Sequence, residues 1–269
     1  MTISADILSR SPVLYWKLDE ATGPAASDSS GHGHPGAYGG SFTLHQYGPE
    51  PGTFAAQFAQ GGFVTCTGFP QIGSAPFSVL WYCARQTQPT PSGGDEWIMG
   101  NRNFTRGYFF HVFSGDTCRT ELYQATGTLN SGSAFTIPTW NRWWHAYALV
   151  WNGSTTMTMW VDGSQVVTHT TSNLSTVQSA DTFGLNATYP MVVAHLAYYD
   201  KALISTDIAA IHSYRYDWPF APMVNTIWPA PPAGSTGLNP SDPVVVDINA
   251  DLSDIHRAVI HDYTTGPPP

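Results

Sequence analysis

Over much of the chain, apolar and polar residues alternate in short runs separated by clusters of Gly, Asn, Asp and Pro. A strand turns successive side chains to opposite faces, so this period predicts strands with one face in a core, and many in succession predict a sandwich or barrel. The clearest stretch is Trp143 to Thr170. Tyr147, Leu149 and Trp151 fall on one face, with Ala146, Ala148 and Val150 on the other. Asn152-Gly153 follows, a hairpin signal because both residues tolerate positive φ. Met157, Met159 and Val161 then share a face, Asp162-Gly163 makes a second turn, and Gln165 to Thr170 returns. The stretch reads as a three-stranded antiparallel meander.

Further strands are expected at Val13 to Leu18, Phe77 to Arg85 and Val192 to Tyr199, and one with a glycine kink at Gly61-Gly62 within Gln57 to Thr65. Gly107 to Phe113 and Cys118 to Gln124 read as a hairpin around Ser114-Gly115-Asp116. One short helix is expected, with Ser205 as N-cap, Asp207 in the first turn where the helix dipole favours it, and Ile208, Ile211 and His212 on one face. At Trp218-Pro219 the composition changes, and from there to Pro269 come ten prolines. The pattern divides the chain into an all-β sandwich over 1–217 and a Pro-rich extended tail over 218–269. Pro229 to Pro240 reads as a linker. The tail is too poor in apolar residues for its own core. Trp218, Trp228, Val244, Val246 and Ile248 are its expected docking residues, with Val244 to Ile248 placed to add a strand to a neighbour's sheet edge.

Charge narrows the partners. Charged residues make up 11% of the chain and the formal net charge is −9, with only Lys17 and Lys201 as lysines. No basic cluster exists to meet phosphates, so no nucleic-acid partner is expected. No run approaches the roughly 18 apolar residues of a membrane span, and Met1 to Arg10 lacks the basic-then-apolar order of a signal peptide, so neither membrane insertion nor secretion by a leader is expected. Cys66, Cys83 and Cys118 are widely spaced and odd in number, and read as buried thiols.

Four segments, in order, carry a resemblance. They are Tyr15-Trp16-Lys17-Leu18-Asp19-Glu20 with the turn Asp28-Ser29-Ser30-Gly31-His32-Gly33; Phe77 to Tyr82; Trp143-Trp144-His145 with Asn152-Gly153 and Trp160-Val161-Asp162-Gly163; and Leu196 to Leu203 followed by Ser205 and Ile208. Together they resemble the laminin-G-like jelly-roll domains of the concanavalin A-like superfamily, over roughly residues 12 to 216. That resemblance implies two antiparallel sheets, an N-terminal strand and a closing strand with a short following helix. It departs at Val193-Ala194-His195, where the family usually carries an acidic pair. The fold hosts lectins, glycanases, adhesion modules and virion proteins, so it does not fix function.

Candidate chemistry is sparse. A glycanase needs two carboxylates flanking the scissile bond. The four glutamates, Glu20, Glu50, Glu96 and Glu121, are scattered, and the E-x-D-x-x-E strand of related hydrolases is missing, so no catalytic residue is assigned. His32-x-His34 lacks a third ligand for a metal. Asp28 with nearby hydroxyls offers oxygens of the kind calcium takes, but the same residues read as a side-chain-stabilised turn, and no cofactor or metal is expected. Among the ten tryptophans, Trp16, Trp81, Trp151 and Trp160 are expected between the sheets. Trp97 instead follows a Pro- and Gly-rich stretch, and reads as a loop residue that with Asp95, Asn101 and Arg102 could stack on and bind a sugar.

The sum predicts a non-enzymatic virion component, a minor tail or capsid-surface protein of a tailed bacteriophage, located in the virion after synthesis in the host cytoplasm. Its expected partners are other virion proteins, copies of itself and a host surface glycan. The alternatives are a secreted or cell-surface lectin-like module, and a glycanase whose site the sequence does not display.

Overall fold

A computed structural model describes residues 2–67, 75–85, 96–103, 106–112, 117–123, 129–136, 144–171, 182–187 and 190–213. In chain order its elements are α1 (Ile3–Ser9), β1 (Leu14–Trp16), β2 (Ala25–Ala26), β3 (Gly36–Gly39), β4 (Phe42–Tyr47), β5 (Phe54–Phe58), β6 (Phe63–Cys66), β7 (Phe77–Arg85) and β8 (Glu96–Asn103). There follow β9 (Arg106–Val112), β10 (Thr117–Tyr123), β11 (Leu129–Ser131), β12 (Phe135–Thr136), β13 (Trp144–Trp151), β14 (Thr156–Val161), β15 (Ser164–Thr170), β16 (Thr182–Asn186), β17 (Met191–Tyr199) and α2 (Ser205–His212). Among the described residues these strands make two antiparallel sheets. One runs β15-β14-β13-β7-β17-β5-β4 with β1 also on β17, the other β11-β10-β9-β8-β16-β6-β3-β2 with β12 on β10. The described residues form an all-β sandwich of jelly-roll type.

The meander forms as the alternation predicts. Asn152 Oδ1 accepts from the N–H groups of Ser154, Thr155 and Thr156 at 2.9 to 3.0 Å, closing the first turn. Asp162 and Gly163 adopt φ of 50° and 81°, both in the left-handed region that a tight hairpin requires. Met157, Met159 and Val161 point into the core between the sheets. That core is an aromatic seam. Trp81 stacks on Tyr147 at 5.2 Å between centroids, and both meet Phe110 of the opposite sheet. Phe77 packs on Tyr108 at 4.4 Å, and Trp16 on Phe183. Cys66, Cys83 and Cys118 lie in it as buried thiols.

The central strands β7, β13 and β17 are buried on both faces, because a second apolar cluster covers the outer side of their sheet. Ile3 and Ile7 of α1 and Ile208 and Ile211 of α2 pack there on Leu80, Tyr82, Ala146, Ala148, Ala194 and Tyr199. Arg10 joins the two helices, donating to Asp207 Oδ1 at 3.0 Å and to Asp6 Oδ1 at 2.9 Å.

Several expectations need correction. There are two short helices, not one: α1 begins on Thr2, whose Oγ1 accepts from Ala5 N. Ser205 does not cap α2. Ile204 holds the cap position with no side-chain bond, and Ser205 is the first helical residue. Gly61-Gly62 is no kink in one strand but the crossing from β5 in one sheet to β6 in the other. A Cβ on Gly62 would run into the Ser41 carbonyl oxygen, so the close approach there needs glycine. Trp16, Trp81 and Trp151 are core residues, but Trp160 lies half-buried against the outer cluster instead of between the sheets. The tail residues Trp218, Trp228, Val244, Val246 and Ile248 lie outside the described residues, as does Ser114-Gly115-Asp116.

Candidate functional site

Strand β17 supplies the feature around which a site forms. Along one edge it pairs with β7 for most of its length. Its other edge is shared end to end: Met191 to Val193 pair with β5, and Leu196 to Tyr198 pair with β1. The register slips between Ala194 and Ala197, and His195 within the bulge adopts φ 55°. Bulges re-aim a side chain where pairing changes. A left-handed non-glycine residue costs on the order of 1–3 kcal/mol and persists where its surroundings hold it. Here the surroundings are specific: His195 N donates to the Lys17 carbonyl at 3.0 Å. Leu18 is left-handed too, at φ 63°, and is fully buried in the core, while its neighbours Lys17 and Asp19 line a cleft.

That cleft opens where β1 and β5 leave the edge of β17 uncovered. It encloses about 220 Å³ and is lined by Thr2, Ser4, Lys17, Asp19, Glu50, Gly52, Thr53, Phe54 and His195. Its far wall is the connection between β4 and β5. Thr53 N donates to the Glu50 carbonyl at 3.1 Å across Pro51 and Gly52, and Gly52 has φ 76°. Proline followed by a positive-φ glycine is the signature of a type II turn. The Thr53 hydroxyl accepts from Glu50 N and donates to Glu50 O, which stiffens the turn. Glu50 Oε1 accepts from Ile3 N at 3.1 Å and thereby pins α1 to this wall. Phe54 stacks on His45 with centroids 3.6 Å apart.

Between two of the lining residues a buried hydrogen-bonded chain runs from Ser4 Oγ to Tyr15 Oη at 2.8 Å and from Tyr15 Oη to His195 Nδ1 at 2.7 Å. His195 is 3% exposed, and its Nε2 has no protein partner. Burial, reinforced by the Lys17 ammonium, pushes the imidazole pKa down to about 3, so the ring is neutral at physiological pH. Burial also holds the Tyr15 phenol above its ordinary range despite the bond from Ser4. The Glu50 carboxyl is raised by burial, opposed by the Ile3 N–H. The cleft is thus lined by hydroxyls, two carboxylates, one ammonium, an aromatic ring and a neutral imidazole.

The residues singled out from the sequence lie elsewhere. Trp97, Asn101 and Arg102 stand on β8, a strand paired with β9 and β16, and not in a loop; Asp95 lies outside the described residues. Asp28 forms the side-chain-stabilised turn expected of it: Oδ1 accepts from Tyr15 N and Ser30 N, and Oδ2 from Ser30 Oγ and His34 N, at 2.9 to 3.0 Å. Partial burial would raise its pKa, but the donors of His34, Tyr15 and Ser30 outweigh it and hold it below the usual range. Among the described residues no group of three His, Cys, Asp or Glu side chains could hold a metal ion, and no helix is long and apolar enough to cross a membrane. The cleft residues were not legible as a group. The Glu50-Pro51-Gly52-Thr53 turn had a readable signal, whereas the bulge at His195 is a product of strand neighbours distant in sequence.

No protein-family model matches the chain, and no curated protein matches its sequence. Solved structures do match in fold. The binding domain of botulinum neurotoxin DC in complex with SialylT aligns at TM-score 0.60 and 16% identity, over 78% of this chain and 53% of that one. The binding domain of botulinum neurotoxin serotype G aligns at TM-score 0.61 and 13% identity, over 75% and 50%. A structure described in terms of botulinum neurotoxin type C cell entry through two ganglioside molecules aligns at TM-score 0.60 and 18% identity, over 79% and 53%. The chain is similar to these in fold, and spans about half of their length.

Proposed function

We propose that the chain is a non-catalytic binding module on a virion surface, a laminin-G-like jelly roll of the kind carried by minor tail or capsid-surface proteins of tailed bacteriophages, and that it binds a host surface glycan. The observation that carries the binding reading is the cleft beside His195. It is small and mixed in polarity, and it presents hydroxyls and carboxylates around a neutral imidazole. General acid–base catalysis works best with a group poised near the operating pH. His195 is held far below that and Tyr15 above its ordinary range, which favours binding without turnover.

The glycan assignment draws support from the shared fold with domains whose structures are described with SialylT and with gangliosides. The virion assignment draws on the sequence: sparse charge, the ordered laminin-G-like segments, and the Pro-rich segment 218–269 as the element that joins other virion proteins or further copies of the chain. The test is a glycan array probed with the full chain, together with reducing-sugar release from bacterial cell-wall polysaccharides and mass spectrometry of purified particles. Glycan binding without sugar release, and presence in particles, are the expected results. Turnover lost on replacing a single acidic residue would overturn the non-catalytic reading, and absence from particles the virion reading.

A further inference from the structure

We infer that strand β15 is the surface through which the chain pairs with a second copy of itself, edge to edge and antiparallel. This goes beyond the proposed function, whose glycan and virion readings stand whether or not it holds. An open strand edge templates another strand, and proteins blunt their edges with short strands, slips in register, prolines or charges. Among the described residues β1, β2, β11 and β12 each pair with one strand and have only two or three residues. Strand β4 is broken in its middle, where the register slips between Thr43 and Gln46 and His45 adopts φ 61°. Strand β15 ends the same sheet path on the other side, with β14 as its one neighbour. Its seven residues, Ser164–Thr170, include no proline and no Lys, Arg, Asp or Glu. Its slip, beside Trp160, leaves Val167 to Thr170 regularly paired with β14.

Hydrogen-bond phase decides which groups face outward. Thr171 N donates to the Thr155 carbonyl at 2.8 Å, so that pair is bonded, and bonded pairs recur at Met157 with His169 and Met159 with Val167. Thr156 bonds the other way, its carbonyl accepting from Asn152 N at 3.0 Å. The backbone N–H and C=O groups of Thr168 and Thr170 therefore point away from β14, and both side chains are exposed. A two-fold axis beside His169 sets Thr168 opposite Thr170 of the second copy and bonds both pairs clear of the slip. Like meets like across such an axis, so a charged edge would repel itself; this one carries β-branched residues that favour pairing. The edge is also fixed before it pairs. The His169 ring, 4% exposed, reaches the opposite sheet, with Nε2 3.0 Å from Asn130 Oδ1 and Nδ1 3.3 Å from Thr120 Oγ1. An edge already held loses less freedom on association.

The experiment is analytical ultracentrifugation of the full chain from about 10 μM to about 1 mM, the range in which a small interface associates. Thr168→Pro removes an outward donor and leaves the bonds to β14 in place, and Thr170→Lys adds a charge at an exposed position; circular dichroism checks both folds. The expected result is a reversible dimer, weakened about tenfold or more in each variant. Thr168→Cys mixed with Thr170→Cys should also form a disulfide-linked dimer faster than either variant alone, because bonded strand pairs stand about 5.5 Å apart at Cα. The native thiols are buried and stay out of the reaction. Val246→Pro, in the tail segment expected to add to a sheet edge, should leave the dimer unchanged. A monomer at every concentration, a dimer indifferent to both β15 variants, or cross-linking no faster in the mixture would overturn the inference. Loss of the dimer in Val246→Pro would make the tail the partner strand and overturn the self-pairing.

Discussion

Two buried histidines lie on the outer side of the same sheet, and they do different things. His212 ends α2, and its Nδ1 accepts from Gly163 N at 2.7 Å, which fastens the helix to the turn between β14 and β15. Its Nε2 lacks a well-aligned partner and has the Tyr147 backbone within reach. His195 sits under α1 on a strained bulge, tied at Nδ1 to Tyr15, with Nε2 unused by the protein and the ring lining a cleft. Burial pushes the pKa down in both, to about 4 in His212, where Asp162 and the Tyr147 backbone oppose it, and to about 3 in His195. Tyr82 joins them, its ring lying edge-on to each and its hydroxyl donating to the Ile211 carbonyl at 2.7 Å. Equal burial therefore does not mean equal role. What separates the two regions is what the first ring nitrogen is tied to: a backbone amide that fixes a helix to a turn in one, a tyrosine hydroxyl beside a cleft in the other.

Acid should unsettle both regions, and most strongly. An unfolded histidine takes up its proton near pH 6.5, while His212 and His195 in the folded protein resist until about 4 and about 3. Between those values the unfolded state binds more protons, so stability falls as pH falls from about 6.5 toward 4. At roughly 1.4 kcal/mol per unit of depressed pKa, the loss amounts to several kcal/mol. Urea unfolding from pH 7 down to pH 4 checks this, and His212→Gln should flatten only part of the slope. A stability independent of pH across that window would mean that neither ring is held neutral by burial.

Next in size is the residue between them. Tyr82→Ala should cost about 3–5 kcal/mol, as a large buried aromatic does, and should perturb signals of both histidines. Tyr82→Phe should cost about 1 kcal/mol by leaving the Ile211 carbonyl unsatisfied, and should affect α2 more than the cleft. The smallest effect belongs to Arg10→Ala. It removes the ion pair from α1 to Asp207 of α2 and the one to Asp6 within α1, together worth no more than about 1 kcal/mol at a partly exposed site and less at high salt. Thermal unfolding in low and high salt would show it, and a large salt-independent loss would mean that the helices depend on each other more than this geometry implies.

The region around His212 was the more legible in sequence. Asn152-Gly153 and Asp162-Gly163 announce their hairpins, and the spacing of Ile208, Ile211 and His212 marks the buried face of α2. The region around His195 was less so. Helix α1 spans seven residues with Ile3 and Ile7 as its buried apolar contacts, too short for a periodic signal, though Thr2 is a readable cap. Strand β8 contains Gly100, Asn101 and Asn103 in a stretch without clean alternation, so it reads as loop; its pairing with β9 and β16 decides otherwise. The bulge at His195 depends on β5 and β1 meeting end to end along β17, residues more than a hundred positions away. Val193-Ala194-His195 stands out in sequence only as a place where an expected acidic pair is missing.

The contrast between the two imidazoles is measured directly by their nitrogen chemical shifts in the full chain. As the pH is lowered, both rings should stay neutral far below the ordinary pKa of about 6.5, His212 taking up its proton at about 4 and His195 only at about 3. Either ring protonating near that ordinary value of about 6.5 in the folded protein would contradict the account.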